Sequence, residues 1–235
     1  MLTFRKIGYI AAIAAAGVLG ATAASATTYN FESTPVTESG VADGTLVAVG
    51  AGGELVGVSA FDFAGGTISG KGNFAYFDAP SGQPGGLGAC TKLDAGDQCD
   101  PSSDDNVTTG EAVGINFGDG IVDTVTFRGT AIGGGGDSHD LLASGDTFLF
   151  SLDGVVFKQG VVGAGGVWAA GVAVNNVNGI YFATDNYELY IASVDYTGDD
   201  NPNGGPNPVP LPAGGLLLLT ALAGLGAARK RAKKS

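Results

Sequence analysis

An acidic segment around the two cysteines is the stretch of the chain whose residue types could do chemistry. Hard oxygen ligands lie close together in it, at Asp104, Asp105, Asn106 and Glu111. Ca²⁺ takes about six to eight oxygen ligands, and a bound cation would relieve the repulsion between neighbouring carboxylates. The spacing is not that of an EF-hand. Two interpretations stay open: a calcium site, or a solvated acidic loop in which Asp and Ser are turn residues.

Cys90 and Cys99 are the only cysteines of the chain. Two thiols and one distant histidine make a poor zinc site, because zinc sites in proteins are usually four-coordinate. In an oxidising compartment, two cysteines this close in sequence are expected to pair. The sequence therefore predicts a Cys90–Cys99 disulfide.

Residues typical of catalysis form no recognisable constellation. His139 is the single histidine, and its neighbours Ser138 and Asp140 are adjacent in sequence, which is not the geometry of a catalytic triad. Its glycine-rich surroundings predict a flexible surface loop. With 23 acidic residues, some pair will always have the separation of glycosidase carboxylates. Trp168 and the tyrosines near the end of the domain could stack on sugar rings, but its apolar strand favours core packing for Trp168, and Tyr is also common in strands.

The elements that must position these residues are strands. Glycine is very frequent, with 42 residues, and short β-branched or aromatic runs alternate with Gly, Asp and Asn turns. Such spacing predicts an all-β fold, an antiparallel β-sandwich of jelly-roll-like form, over residues 27–198. Phe148, Phe150 and Leu152 alternate as in a half-buried strand, and Asp153-Gly154 then predicts a two-residue hairpin turn.

The charge of this domain excludes some partners. All 23 acidic residues lie between residues 27 and 207, but only four of the 11 basic residues do, so the segment carries 4 − 23 = −19 charges. Those four are Lys71, Lys92, Arg128 and Lys158. A surface of this charge repels nucleic acid and anionic membranes and attracts divalent cations. We expect no nucleic-acid partner.

The N-terminus has the layout of a secretory signal peptide, which predicts a signal helix within residues 1–26. Arg5 and Lys6 precede an apolar run over residues 7–19, and Ala24-Ser25-Ala26 has the small-x-small form of a cleavage site. Cleavage after Ala26 by signal peptidase would leave a mature chain that begins at Thr27.

The C-terminus has the layout of a membrane anchor. Residues 199–208 form a Pro/Gly/Asn linker, and residues 213–228 carry no charge. At about 1.5 Å per residue, that run and the preceding residues from 209 onward predict a helix nearly long enough for the hydrocarbon core. A basic cluster should keep the end cytoplasmic. It consists of Arg229, Lys230, Arg231, Lys233 and Lys234.

A proline-containing motif precedes this helix, spelled Val209, Pro210, Leu211, Pro212 and Ala213. Motif, apolar helix and basic cluster together resemble the PEP-CTERM sorting signals of Gram-negative bacteria, in their VPLPA form. The resemblance covers residues 209–235. It implies processing by an exosortase, a transient stay in the inner membrane, and release to the cell surface or its extracellular polysaccharide. The run "DPSSDDN" at 100–106 and "GE" at 110–111 are similar to segments of other proteins with such tails, for which the family implies no activity.

These observations predict an exported, non-catalytic protein of the cell surface or extracellular matrix, associated with polysaccharide and stabilised by calcium. Two alternatives stay open. One is a carbohydrate-active envelope enzyme that uses paired carboxylates, and the other is a structural adhesin subunit. A cleft with two facing acids, one of raised pKa, would favour the enzyme.

Overall fold

The computed structural model describes eight stretches of the chain, all between Ala26 and Gly198. They are residues 26–32, 38–49, 54–70, 72–78, 84–102, 104–132, 139–175 and 179–198. The predicted signal helix, apart from Ala26, lies outside the described residues, as do the linker, the sorting motif and the membrane helix. No helix in the described part of the chain is long and apolar enough to cross a membrane.

Fourteen strands and one 3-10 turn, Ala164–Gly166, make up the regular structure of the described residues. The strands are β1 (Ala26–Asn30), β2 (Ser39–Val41), β3 (Thr45–Val49), β4 (Glu54–Ala64), β5 (Thr67–Ser69), β6 (Phe74–Asp78), β7 (Gly86–Cys90), β8 (Glu111–Asn116), β9 (Gly120–Ala131), β10 (Thr147–Ser151), β11 (Lys158–Val161), β12 (Val167–Val174), β13 (Ile180–Ala183) and β14 (Tyr187–Gly198). The all-β prediction is confirmed.

The strands form two antiparallel sheets of seven strands each in the described residues. Sheet A has the order β12-β9-β14-β7-β6-β2, with β1 also paired to β14, and sheet B has the order β11-β10-β13-β8-β4-β3, with β5 also paired to β4. Within them, the last eight strands are divided between the sheets in the orders β7-β14-β9-β12 and β8-β13-β10-β11. Most connections between consecutive strands therefore cross from one sheet to the other, so that strands paired within a sheet are mostly not neighbours in sequence.

One continuous core joins the inner faces of the two sheets. Phe127 and Tyr196 of sheet A belong to the same buried cluster as Phe148 and Phe182 of sheet B. Phe148 is buried, and Phe150 and Leu152 pack against the same cluster, in agreement with the alternation expected for β10. Trp168 also packs on this core, with its ring centroid 4.5 Å from that of Phe150.

The predicted two-residue turn at Asp153-Gly154 is wrong. β10 ends at Ser151 and β11 begins at Lys158, so the connection is longer. Asp153 Oδ1 accepts hydrogen bonds from the backbone N–H groups of Val155 and Val156, each at 2.9 Å. These hydrogen bonds stabilise a longer loop between β10 and β11. A two-residue hairpin turn would not allow them.

Candidate functional site

The residues around the disulfide lie on the outer face of sheet A. Cys90 and Cys99 are bonded, with their Cα atoms 5.8 Å apart, so the predicted disulfide is confirmed. Both pack against Tyr76, whose neighbours in β6, Ala75 and Phe77, face the core instead. The segment between Cys90 and Glu111, called here the disulfide loop, therefore covers the side of sheet A that the core does not use.

Glycine in β7 lets the disulfide loop lie directly on the sheet. A Cβ atom on Gly88 would lie 2.1 Å from the carbonyl oxygen of Asp105 and 2.8 Å from the Cα of Asn106. Those contacts are with backbone atoms, so a side chain at this position would push the loop away. Val107 then pairs with Leu189 of β14 through two backbone hydrogen bonds of 2.9 and 3.0 Å.

The four oxygen ligands predicted for calcium point to different places. Asp104 and Glu111 line one pocket, whereas Asp105 Oδ1 accepts a 2.7 Å hydrogen bond from the Tyr190 hydroxyl on the outer face of sheet A. Asn106 is buried, and its Oδ1 accepts no hydrogen bond from any described residue. The pocket therefore contains two of the four predicted residues.

The pocket, called here the acidic pocket, has a volume of about 310 Å³ and contains residues that sequence reasoning missed. Its lining consists of Asp62, Asn73, Thr91, Asp104, Thr108, Thr109, Gly110 and Glu111. Asp62 and Glu111 are directly opposite each other on β4 and β8 of sheet B. Asn73 precedes β6 and Thr91 follows β7, both of sheet A. The acidic pocket thus lies where strand ends of the two sheets meet.

Glu111 is the most constrained carboxylate of the acidic pocket. Its Oε2 accepts hydrogen bonds from the Thr108 N–H at 3.0 Å and the Thr108 hydroxyl at 2.9 Å, and the Thr91 hydroxyl donates to Oε1 at 3.3 Å. Burial raises the pKa of Glu111, the bonds to Thr108 oppose that rise, and the charge of Asp104 adds to it. Glu111 and Asp104 therefore repel each other when both are ionised.

Only one trio of metal-binding side chains within the described residues has its ligand atoms all within 4.8 Å of one another: Cys90, Cys99 and Asp104. The two cysteines are joined in a disulfide, so they offer no thiolate to a metal. The carboxylates of the acidic pocket are spaced more widely than that, which leaves room for water or for side-chain adjustment.

A second titratable cluster lies under the disulfide loop, and the sequence pattern did not indicate it. Asp78 at the end of β6 is 2% exposed, and its Oδ2 lies 3.5 Å from His139 Nδ1. Burial raises the pKa of Asp78 to about 6, the charge of Asp105 adds to the rise, and His139 and Tyr190 oppose it. Burial likewise raises the pKa of Asp105.

Tyr190 links the two carboxylates of this cluster. Its hydroxyl donates to Asp105 and is also hydrogen-bonded to Asp78. A phenol carries a single proton, so Tyr190 can donate to only one of the two carboxylates at a time. Its hydrogen bond to Asp78 opposes the rise in the pKa of that carboxyl. Burial and the two neighbouring carboxylates raise the pKa of Tyr190 itself.

His139 differs from the flexible surface residue that its glycine-rich surroundings predicted. Arg128 of β9 donates a 2.7 Å hydrogen bond from Nη1 to the His139 carbonyl and forms an ion pair with Glu32. The imidazole stacks on Tyr190, with 5.7 Å between ring centroids and 8° between planes. No sequence signal links His139 to Asp78, because a separation of 61 positions is bridged only by the fold.

The aromatic residues considered for sugar stacking are mostly unavailable for it. Tyr190 and Tyr196 are 1% and 0% exposed, and Trp168 packs on the core. Tyr181 lies against Phe61 on the outer face of sheet B, with 5.7 Å between their ring centroids. Core and strand packing therefore account for most of these rings.

Ala26 is the only processing residue among those predicted that lies within the described part of the chain. It is the first residue of β1 and pairs with Thr197 of β14. The residues predicted to form the sorting motif and the basic stop lie outside the described residues. They are Val209, Pro210, Leu211, Pro212, Ala213, Arg229, Lys230, Arg231, Lys233 and Lys234.

Comparison with known proteins adds no relative. No family model matches the chain, and no curated protein or solved structure matches it either.

Proposed function

We propose that the chain is an exported, non-catalytic protein of the bacterial cell surface or extracellular matrix, with a jelly-roll domain that binds extracellular polysaccharide. The strand order carries this proposal. The orders β7-β14-β9-β12 and β8-β13-β10-β11 are those of an eight-stranded jelly roll, an architecture that recurs in lectin domains. The link from architecture to binding is an analogy, and the ends of the chain supply the independent support for an extracellular location.

Export rests on both ends of the sequence. The signal-peptide layout of residues 1–26 and the VPLPA-type tail of residues 209–235 require signal peptidase, an exosortase and a transient stay in the inner membrane. In the described residues, β1 begins at Ala26 and pairs with β14. Cleavage after Ala26 leaves four of the five residues of β1 on the domain.

Calcium is the second part of the proposal. The net charge of −12 for the whole chain and the convergence of Asp104 and Glu111 in the acidic pocket both favour uptake of a divalent cation. In this role the ion is structural, and it stiffens a protein that works outside the cell.

The intact mass of protein recovered from the cell surface tests export and processing. We expect a chain that begins at Thr27 and ends near Pro212. Recovery from the cytosol with Met1 and Ser235 still attached would overturn the proposed location.

Titration calorimetry with the organism's own extracellular polysaccharide, with and without CaCl₂, tests the binding role. We expect heat of binding for at least one polysaccharide fraction. The absence of heat with every fraction would remove polysaccharide binding and leave only a structural role.

A carbohydrate-active enzyme is the second candidate, and one observation favours it. Asp78 and Asp105 face each other through Tyr190, and both have a raised pKa, as in the acid of a glycosidase pair. Against it, Asp78 is 2% exposed and the disulfide loop covers the cluster, so a sugar would have to displace that loop. Release of reducing sugar that is lost in Asp78→Asn but not in Asp185→Asn would establish the enzyme.

A further inference from the structure

We propose that residues 104–106 of the disulfide loop are a pH-sensitive lid on the outer face of sheet A, closed in acid and opened at neutral pH by ionisation of Asp78. The lid lies against Tyr190, whose hydroxyl donates to Asp105 at 2.7 Å, and Asp78 belongs to the cluster beneath it. This inference goes beyond the proposed function, because it depends on neither polysaccharide binding nor calcium.

Both ends of the lid are fixed, so the lid can move while the rest of the fold stays in place. On one side, Cys99 is bonded to Cys90 of β7. On the other side, Val107 is buried in the main core and pairs with Leu189 through two backbone hydrogen bonds. An opening confined to residues 104–106 breaks neither the disulfide nor this pairing, so it requires less free energy than global unfolding does.

Side-chain hydrogen bonds and backbone contacts hold the lid in place. Tyr190 donates to Asp105, and the Thr91 N–H donates to Asp104 Oδ2 at 3.1 Å. Gly88 lies below the lid and has no side chain, so the contact there is between backbone atoms. Water can replace both hydrogen bonds when the lid lifts, so their loss adds little to the free energy of opening.

Two buried oxygen atoms make the closed lid unfavourable. Asn106 in the lid is 4% exposed and Asp78 below it is 2% exposed. Neither Asn106 Oδ1 nor Asp78 Oδ2 accepts a hydrogen bond from any described residue. A buried acceptor without a donor loses free energy relative to the same group in water. Opening of the lid lets water reach both atoms, and the gain is larger when Asp78 is charged.

The groups around Asp78 determine the pH at which the lid opens. Burial has the largest effect and raises the pKa of Asp78 to about 6. Asp105 in the lid and Glu38 before β2 add to the rise. His139, with Nδ1 at 3.5 Å from Asp78 Oδ2, opposes it, as does Tyr190, whose single proton serves both Asp78 and Asp105.

Arg128 of β9 lies directly opposite Tyr190, but its charge is already engaged. Its guanidinium pairs with Glu32 and donates to the His139 carbonyl. A charged Asp78 is therefore stabilised better by water than by its neighbours under the closed lid. In the open state the pKa of Asp78 returns toward the ordinary 3.8. By linkage, the ratio of open to closed lid rises as the pH increases from about 4 through about 6.

Hydrogen exchange of the full-length chain, in a neutral detergent without divalent ions, tests the lid. Mass spectrometry of peptides gives the exchange rate of residues 104–106 and, as a core reference, that of β13. Both rates are corrected for the intrinsic pH dependence of amide exchange. From about pH 4 to about pH 7.5 the lid rate should rise at least about tenfold. The limit is about a hundredfold, which corresponds to a pKa of about 6 in the closed state and 3.8 in the open state.

Asp78→Asn, which cannot ionise, should remove the pH dependence of the lid rate while β13 stays protected. The control Asp185→Asn removes a charge from an exposed position and should keep the pH dependence. Tyr190→Phe is a second variant in case Asp78→Asn fails to fold. It removes the hydrogen bond to Asp105, so the lid rate should rise at every pH.

Four results would overturn the lid. The corrected lid rate could be independent of pH, or it could depend on pH equally in Asp78→Asn and in the parent chain. An unchanged lid rate in Tyr190→Phe would mean that the hydrogen bond to Asp105 does not hold the lid. Equal corrected rates of residues 104–106 and β13 at each pH would mean that only global unfolding exposes these residues.

Discussion

Two buried carboxylates, those of Asp78 and Glu111, and the half-buried carboxylate of Asp105 have pKa values raised mainly by burial. Burial disfavours the charged form because the protein interior solvates it less well than water does. Each group therefore binds its proton more tightly in the native state than in the unfolded chain. By linkage, each carboxylate lowers the stability of the metal-free protein as the pH rises from its pKa in the unfolded chain through its raised pKa in the native state.

Asp78 gives the clearest pH prediction. Its pKa of about 6 lies above the 3.8 of an ordinary Asp, so its contribution to stability is largest below about pH 4 and is lost as pH rises through about 6. The loss is on the order of 2–3 kcal/mol. Asp78→Asn should raise stability near pH 7.5 and flatten the pH dependence, measured by urea unfolding.

The matched control for this experiment is Asp185→Asn, which removes one negative charge from an exposed position. It should leave the pH dependence unchanged. If both variants flatten it equally, relief of general charge repulsion is the cause, and the assignment to Asp78 is wrong.

At the scale of elements, the disulfide loop depends on glycine in β7. The three atoms nearest to a Cβ placed on Gly86 are backbone and Cβ atoms of the neighbouring strand β14, at 2.8 to 3.1 Å, whereas those nearest to a Cβ on Gly88 are backbone atoms of residues 105 and 106. Gly88 is therefore small because the disulfide loop covers it, and Gly86 because the neighbouring strand β14 approaches it closely. The loop in turn covers Tyr76, Asp78 and Tyr190.

Gly88→Ala should be strongly destabilising. The new methyl group would lie 2.1 Å from a backbone oxygen, so the loop or the sheet must move, at a cost of about 2–4 kcal/mol. Gly57→Ala is the control, since the nearest atom to its Cβ would be an ordinary 3.6 Å away. Chemical denaturation of both variants measures the difference, and equal stability of the two would contradict the packing of the loop.

Removal of the disulfide should also be costly. The bond closes a loop with a sequence separation of 9, for which chain entropy gives a stabilisation of roughly 2–3 kcal/mol. The Cys90→Ser/Cys99→Ser double variant should lose about that much stability in urea unfolding. A variant as stable as the parent chain would mean that contacts of the loop with sheet A, and not the bond, keep the loop in place.

At the scale of the whole molecule, charge is the dominant feature. Between residues 27 and 207 the chain has 23 acidic and four basic residues, a balance of 4 − 23 = −19. Self-repulsion of this size opposes the compact state and keeps the protein soluble. Salt screens such repulsion over about 10 Å at 0.1 M.

NaCl should therefore raise the melting temperature in the absence of divalent ions, with a plateau once the repulsion is screened. CaCl₂ at matched ionic strength should raise it further, because binding at a site adds to screening. Differential scanning calorimetry in the two salts separates the effects. Identical curves at equal ionic strength would mean that screening alone is at work.

The strands and the disulfide of this protein could be predicted from short stretches of its sequence. Alternating apolar residues and frequent turn residues led to strands, and the close cysteine pair led to the disulfide, because both properties depend on neighbours along the chain. The same local reasoning failed at Asp153-Gly154, where side-chain capping selected a longer loop.

Only the tertiary structure decided which polar residues meet. The pairing of Asp62 with Glu111 depends on the register of β4 against β8, and the approach of His139 to Asp78 depends on loops above sheet A. The acidic segment was visible in the sequence, but the direction of each carboxylate was not. The carboxylates of an acidic segment can point toward the sheet that the segment covers or away from it. Packing against glycine, tyrosine and the opposite sheet decides the direction of each one.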